Sequence, residues 1–105
     1  MNTQVSPVVV YVTYQGTLQD HFDRDYYVKA HLPLVVKAWN QYGLLSLNAF
    51  FPAIAQKGTL AICECVFQDD QAIQAAFASP EASAVMADVP RFTAIAPTRV
   101  RATAL

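Results

Sequence analysis

The side chain with the widest chemical range in this sequence is His31, and its neighbours make its position unusual. It stands inside YYVKAHLPLVVKAW, Tyr26 to Trp39, a stretch that otherwise has the apolar spacing of an amphipathic helix. At about 100° per residue, Tyr27, Val28, His31, Leu34, Val35, Ala38, Trp39 and Tyr42 share one stripe. Asp25, Lys29 and Lys37 fall off it, and Arg24 lies near its edge. His31 is near the centre of the stripe, so it faces the surface on which the helix packs. Pro33 removes the N–H that would reach the Lys29 carbonyl, and its ring crowds that carbonyl. The helix is therefore expected to kink, or to break and restart, and either outcome opens space beneath it. A buried imidazole stays neutral because burial disfavours its charged form. Such a ring can accept a proton from a substrate or donate a hydrogen bond to an oxyanion. Two readings stay open: a core histidine bonded to a neighbour, and a cleft residue that does chemistry.

Other residues could complete a cleft. Tyr26, Tyr27, Trp39, Tyr42 and Glu64 offer an apolar body with a few polar tips, the usual make-up of a small-molecule site. Glu64 lies on an apolar segment, where an unpaired carboxylate is costly to bury. An ion pair with Arg99 or Arg101 is expected for it, with a place in the cleft as the alternative. Asp88 precedes VPRF and is expected to accept backbone N–H groups in a turn, with a cleft role again the alternative. His21 falls in a polar loop and is expected to be solvated. Cys63 and Cys65 sit two apart on an apparent strand, with Cα atoms about 6.5–7 Å apart. That is near or beyond the reach of a disulfide. Two thiols are too few for a metal site, so both are expected to be core thiols rather than redox or metal groups.

The elements that must position these groups follow from local signals. VVVYVTY, Val8 to Tyr14, is β-branched and aromatic and predicts a strand. Asp23 suits the N-cap of the His31 helix, Phe22 and Tyr27 have the spacing of a hydrophobic staple, and Asp25 suits the positive end of the helix dipole. Gly43 suits the left-handed residue that ends the helix. Leu44 to Phe51 and Leu60 to Phe67 predict two further strands. DDQAIQAAFAS predicts a second helix capped by Asp69 or Asp70, continued after Ser79 and Pro80. TRVRATAL predicts a last strand. The order β-α-β-β-α-β is the ferredoxin-like split βαβ, an α+β fold, in one domain over residues 1–105.

Composition narrows the function. Hydrophobic residues make up 54% of the chain and charged residues only 14%, against about 25% charged in typical domains. A net charge of −1 provides no electrostatic footprint for nucleic acid. No apolar run approaches the roughly 20 residues that span a membrane, and MNTQVSP lacks the features of a signal peptide, so a cytoplasmic location is expected. In the third strand Leu60, Ile62 and Val66 share a face with Glu64, and Ala61, Cys63, Cys65 and Phe67 share the other. Helices cover one face of such a sheet, so apolar residues on both faces predict a second sheet supplied by a C₂ homodimer.

The motifs as a set resemble the EthD family, named for ethyl tert-butyl ether degradation. The likeness rests on Phe22-Asp23, Tyr26-Tyr27, His31 and Pro33-Leu34, followed by Gly43-Leu44. ECVF, FASPEA and ADVPRF, the last running from Ala87 to Phe92, extend it over nearly the whole chain. The resemblance implies a dimeric α/β barrel, with two ferredoxin-like sheets meeting across a two-fold axis. The wider superfamily includes isomerases, cyclases and both cofactor-free and haem-degrading monooxygenases, with ligands held between sheet and helices. His31 and Asp88 match polar positions of the family pattern. The resulting expectation is a cofactor-free enzyme acting on a small apolar, cyclic or aromatic compound, of isomerase, cyclase or dehydratase type. His31 would be its catalytic group, and Tyr27, Trp39, Tyr42, Glu64, Asp88 and Phe92 its ligand contacts. The alternatives are a non-catalytic binding or accessory protein and a monooxygenase. A haem-dependent form of the last would need His31 as axial ligand.

Overall fold

The computed structural model describes residues 7–103. The expected strand at the C-terminal end therefore has its last two residues, and the N-terminal MNTQVS, outside the described residues. Strand β1 (Val8–Gly16) leads into helix α1, residues 24–39, which continues through a 3₁₀ turn, Asn40–Tyr42. Strands β2 (Leu44–Phe50) and β3 (Gly58–Phe67) follow, then α2 (Asp70–Phe77), α3 (Pro80–Asp88), a 3₁₀ turn at Val89–Arg91, and β4 (Thr98–Ala102). The four strands form one antiparallel sheet in the order β2-β3-β1-β4. This is the ferredoxin-like α+β arrangement that the element order predicts.

The local signals operate as expected at the ends of α1. The Asp23 carboxylate accepts the Tyr26 backbone N–H at 3.0 Å, and the Phe22 and Tyr27 rings meet edge to face at 5.2 Å. Gly43 closes the segment with φ +105°, a conformation that a side chain disfavours. Asp69, not Asp70, caps α2 by accepting the Ala72 N–H at 2.8 Å. Ser79 precedes α3, but its hydroxyl donates back to the Ala76 carbonyl instead of capping.

Of the two outcomes expected at Pro33, the break and restart does not occur. Tyr27–His31 form a π-helical turn in which the Leu32 N–H reaches back to the Tyr27 carbonyl, and α-helical geometry resumes over Leu32–Trp39. Pro33 sits at the start of that α-helical stretch, where a missing N–H is tolerated. The wide turn also explains a misplaced residue. Val28 belongs to the buried stripe of a regular helix, yet it is 47% exposed, because the added residue in the turn shifts its face outward.

The inner face of the sheet carries Val10, Val12 and Tyr14 from β1 and Ala61, Cys63, Cys65 and Phe67 from β3. Against it pack Tyr27, His31, Val35, Ala38 and Trp39 of α1, with Ile73, Ala76 and Val85 from the other helices. Each large apolar side chain fully withdrawn from water here contributes about 1.5–3 kcal/mol. The outer face shows Val9, Tyr11, Ile62, Val66, Phe50 and Val100, and no described element covers it. No helix among the described residues is long and apolar enough to cross a membrane.

Candidate active site

A cavity of about 300 Å³ lies between α1, the inner face of the sheet and α3. Its lining is mostly apolar: Val12, Leu32, Val35, Phe77, Val85 and Val89, with Trp39 from α1. Polar atoms enter at few points. Tyr27 and His31 come from the π-helical turn, Tyr14 from β1, Cys63 and Cys65 from β3, and Arg99 from β4. Tyr27 and His31, four residues apart, lie on one face of the helix and serve the cavity together. Tyr27 and His31 stack with ring centres 5.6 Å apart and planes 20° from parallel.

His31 is 4% exposed, and its Nδ1 donates to the Asp88 carboxylate at 2.9 Å. Asp88 ends α3, and its other oxygen accepts the Tyr26 hydroxyl at 2.7 Å. The Arg91 guanidinium lies 3.7 Å from that same oxygen. Phe92 closes the back of the imidazole, its ring centre 4.6 Å away. The Asp88 bond fixes the proton on Nδ1 and leaves Nε2 as the basic nitrogen of the neutral ring. Burial pulls the His31 pKa below its ordinary 6.5, against the opposing pull of Asp88, so the ring is neutral at neutral pH. Burial works to raise the Asp88 carboxyl, but hydrogen bonds from Tyr26 and His31, with the nearby Arg91 charge, outweigh it. Asp88 therefore stays ionised, below the usual carboxylate range. Burial, first among several causes, drives the Tyr27 hydroxyl far above its ordinary value, so it is a hydrogen-bond donor and not a base.

The expected site residues divide into three groups. His31, Tyr27 and Trp39 line the cavity. Asp88 and Phe92 do not line it but support His31 from behind, and Asp88 binds side chains where a turn carboxylate was expected to bind backbone. Glu64 and Tyr42 are elsewhere. Glu64 points from the outer face, because strand alternation sets it opposite to Cys63 and Cys65. There it accepts the Tyr11 hydroxyl at 2.8 Å. It pairs with neither arginine: Arg101 binds Asp70, and Arg99 lies over the Phe77 ring at 4.5 Å. Tyr42 bonds to Glu81 at the far end of α1. His21 is exposed, as expected.

Four cavity residues whose side chains carry O–H, S–H or N–H groups are not marked as site residues by the sequence: Tyr14, Cys63, Cys65 and Arg99. The cysteines are buried and unbridged, with sulfur atoms 3.8 Å apart. The bond from Cys63 and then burial push the Cys65 thiol above its ordinary value, so it is uncharged. A signal for all four existed in the strand register, since Val12 pairs with Cys63 on one side and Arg99 on the other. Tyr26, the second support of Asp88, was read only as a general cleft residue.

A four-stranded antiparallel sheet with helices on one face, and a cavity between them, defines an α+β, ferredoxin-like domain. The EthD domain model matches residues 15–96, and the chain belongs to that family. Solved structures agree on the fold. An EthD-like protein from Ralstonia eutropha JMP134 superimposes with a TM-score of 0.82 at 20% identity, over 94% of this chain and 92% of its own. An EthD family protein from Bacillus halodurans C-125 gives 0.71 at 19% identity, over 95% and 100% of the two chains. SnoaB, a cofactor-independent oxygenase from Streptomyces nogalater, gives 0.72 at 11% identity, over 94% and 93%. No curated protein matches the sequence.

Proposed function

We propose that this chain is a cofactor-independent enzyme that moves a proton on a small, largely apolar, cyclic or aromatic molecule. The observation that carries this reading is His31, oriented from behind by Asp88, at the wall of a mostly apolar cavity. Nε2 of the neutral imidazole takes a proton from an acidic C–H or O–H of the ligand. The imidazolium so formed is stabilised by the ionised Asp88, which Tyr26 holds in place. Returning the proton to a different atom completes an isomerisation, and returning it to a departing hydroxyl completes a dehydration. Neither needs an outside oxidant. Tyr27, stacked on His31 and lining the same cavity, supplies a hydrogen-bond donor for the ligand.

The working unit in this reading is a homodimer. The apolar outer face of the sheet supports it, because Val9, Ile62, Val66, Phe50 and Val100 need a cover that the chain's own helices do not supply.

A second reading, cofactor-independent oxygenation, draws support from the fold shared with SnoaB. It starts with the same deprotonation, after which dioxygen reacts with the carbanion. One experiment tests the common step. The protein is incubated with a panel of cyclic ketones and phenols in heavy water, and deuterium uptake is read by mass spectrometry. Wild type should accelerate exchange on at least one compound, and His31→Ala should lose about 10²-fold or more of it. A His31→Ala variant that exchanges at the wild-type rate would remove His31 as the base. A non-catalytic role instead predicts no exchange, and a loss of about 1–3 kcal/mol of stability in His31→Ala from leaving Asp88 unpaired.

A further inference from the structure

Arg99 is the only residue with a fixed charge among those lining the cavity. It extends from the inner face of β4, next to Val12. Its neighbour two residues on, Arg101, is neutralised by Asp70 of α2, whereas Arg99 has no carboxylate partner among the described residues. Its guanidinium is instead held over the Phe77 ring at 4.5 Å, and Phe77 itself lines the cavity. Stacking on a ring face fixes the plane of the guanidinium and leaves its N–H edge open. That edge is a fork matched to a carboxylate. Trp39 packs on the same Phe77 with ring centres 5.0 Å apart, and its indole N–H is a buried donor with no acceptor among the described residues. Arg99 and Trp39 beside Phe77 are thus donors without acceptors, and the two acids of α3 are already paired: Asp88 with His31 and Tyr26, Glu81 with Tyr42.

We infer that the cavity selects an anionic ligand, a small cyclic or aromatic carboxylic acid whose carboxylate is held by Arg99 while its ring fills the apolar space facing His31. This inference rests on the proposed function, since it names the class of molecule for the same cavity. Arg99 comes from the sheet edge and His31 from the helix, so the two engage the ligand from opposite walls. Arg99 is a specificity residue, and the proton chemistry belongs to His31.

Trp39 is the sole tryptophan, so its fluorescence reports directly on the cavity. Benzoate and cyclohexanecarboxylate are titrated beside their uncharged amides, benzamide and cyclohexanecarboxamide. Wild type should bind the acids about five- to tenfold more tightly than the amides, and salt should shrink that ratio because Arg99 is exposed to solvent. Arg99→Gln should bring the ratio to about one, and Arg99→Lys should keep part of it. Arg101→Gln, a neighbour already paired outside the cavity, should leave it unchanged. Equal binding of acid and amide by wild type, or an undiminished ratio in Arg99→Gln, overturns the anion preference and leaves the cavity reading standing. Failure of all four compounds to perturb Trp39 overturns both.

Discussion

Asp88 and His31 are 57 residues apart, and their 2.9 Å contact makes an ordinary imidazole into an oriented one. The pair also ties stability to pH. Burial holds His31 below 6.5, so the unfolded chain binds that proton more readily than the folded chain once pH drops through 6.5. Asp88, held below its ordinary 3.8, adds stability above that value and loses it as pH falls through its lowered folded value. The urea midpoint should therefore fall between about pH 7 and pH 5, and His31→Gln should flatten that part of the curve. Tyr26→Phe removes one hydrogen bond to Asp88 but keeps the ring stacked on Phe92. It should cost about 1 kcal/mol by denaturation and alter the pH dependence of any exchange that His31 catalyses. His31 was legible in the sequence because its stripe position and Pro33 are both local. Its partner was not, since only the docking of α3 brings Asp88 to it. Glu64 shows the matching limit: alternation separates two faces of β3, but when both are apolar it does not say which one the helices cover.

At the scale of elements, both ends of α1 and the start of α2 were readable, and the interior of α1 and the cap of α3 were not. Asp23, Asp69 and Gly43 each act on a backbone group within a few residues, so their effect is written in neighbouring sequence. The π-helical turn differs from an α-helical one by a single shift of hydrogen-bond register, which no residue type in the segment marks. Pro33→Ala restores an N–H just beyond that turn. It should let the segment relax toward regular helix and swing His31 off Asp88, seen by NMR as loss of the downfield Nδ1 proton. Gly43→Ala tests the other end. A Cβ there would stand 2.7 Å from the Ala72 Cβ, in a left-handed conformation that alone costs about 1–2 kcal/mol. Chemical denaturation should show a loss at least that large.

For the whole molecule, the two-faced sheet pattern pointed to a partner from sequence alone, and the described elements leave the outer face uncovered. Ile62→Asp would set a second carboxylate beside Glu64 on that face while leaving the inner core untouched. Sedimentation should show wild type as a dimer and this variant as a folded monomer. A monomeric wild type at micromolar concentration would remove the homodimer from the proposal. Strand order has a consequence for how the chain is made. β1 precedes the other described strands in the chain, yet one of its two neighbours is β4, which follows them all. On the ribosome, β1 can pair with β3 while its other edge stays open until Ala102 has emerged. Only then does Arg99 arrive to close the cavity. Nascent chains stalled before β4 should therefore carry an assembled His31–Asp88 pair beside an unfinished pocket, with a sticky strand edge for a chaperone to guard.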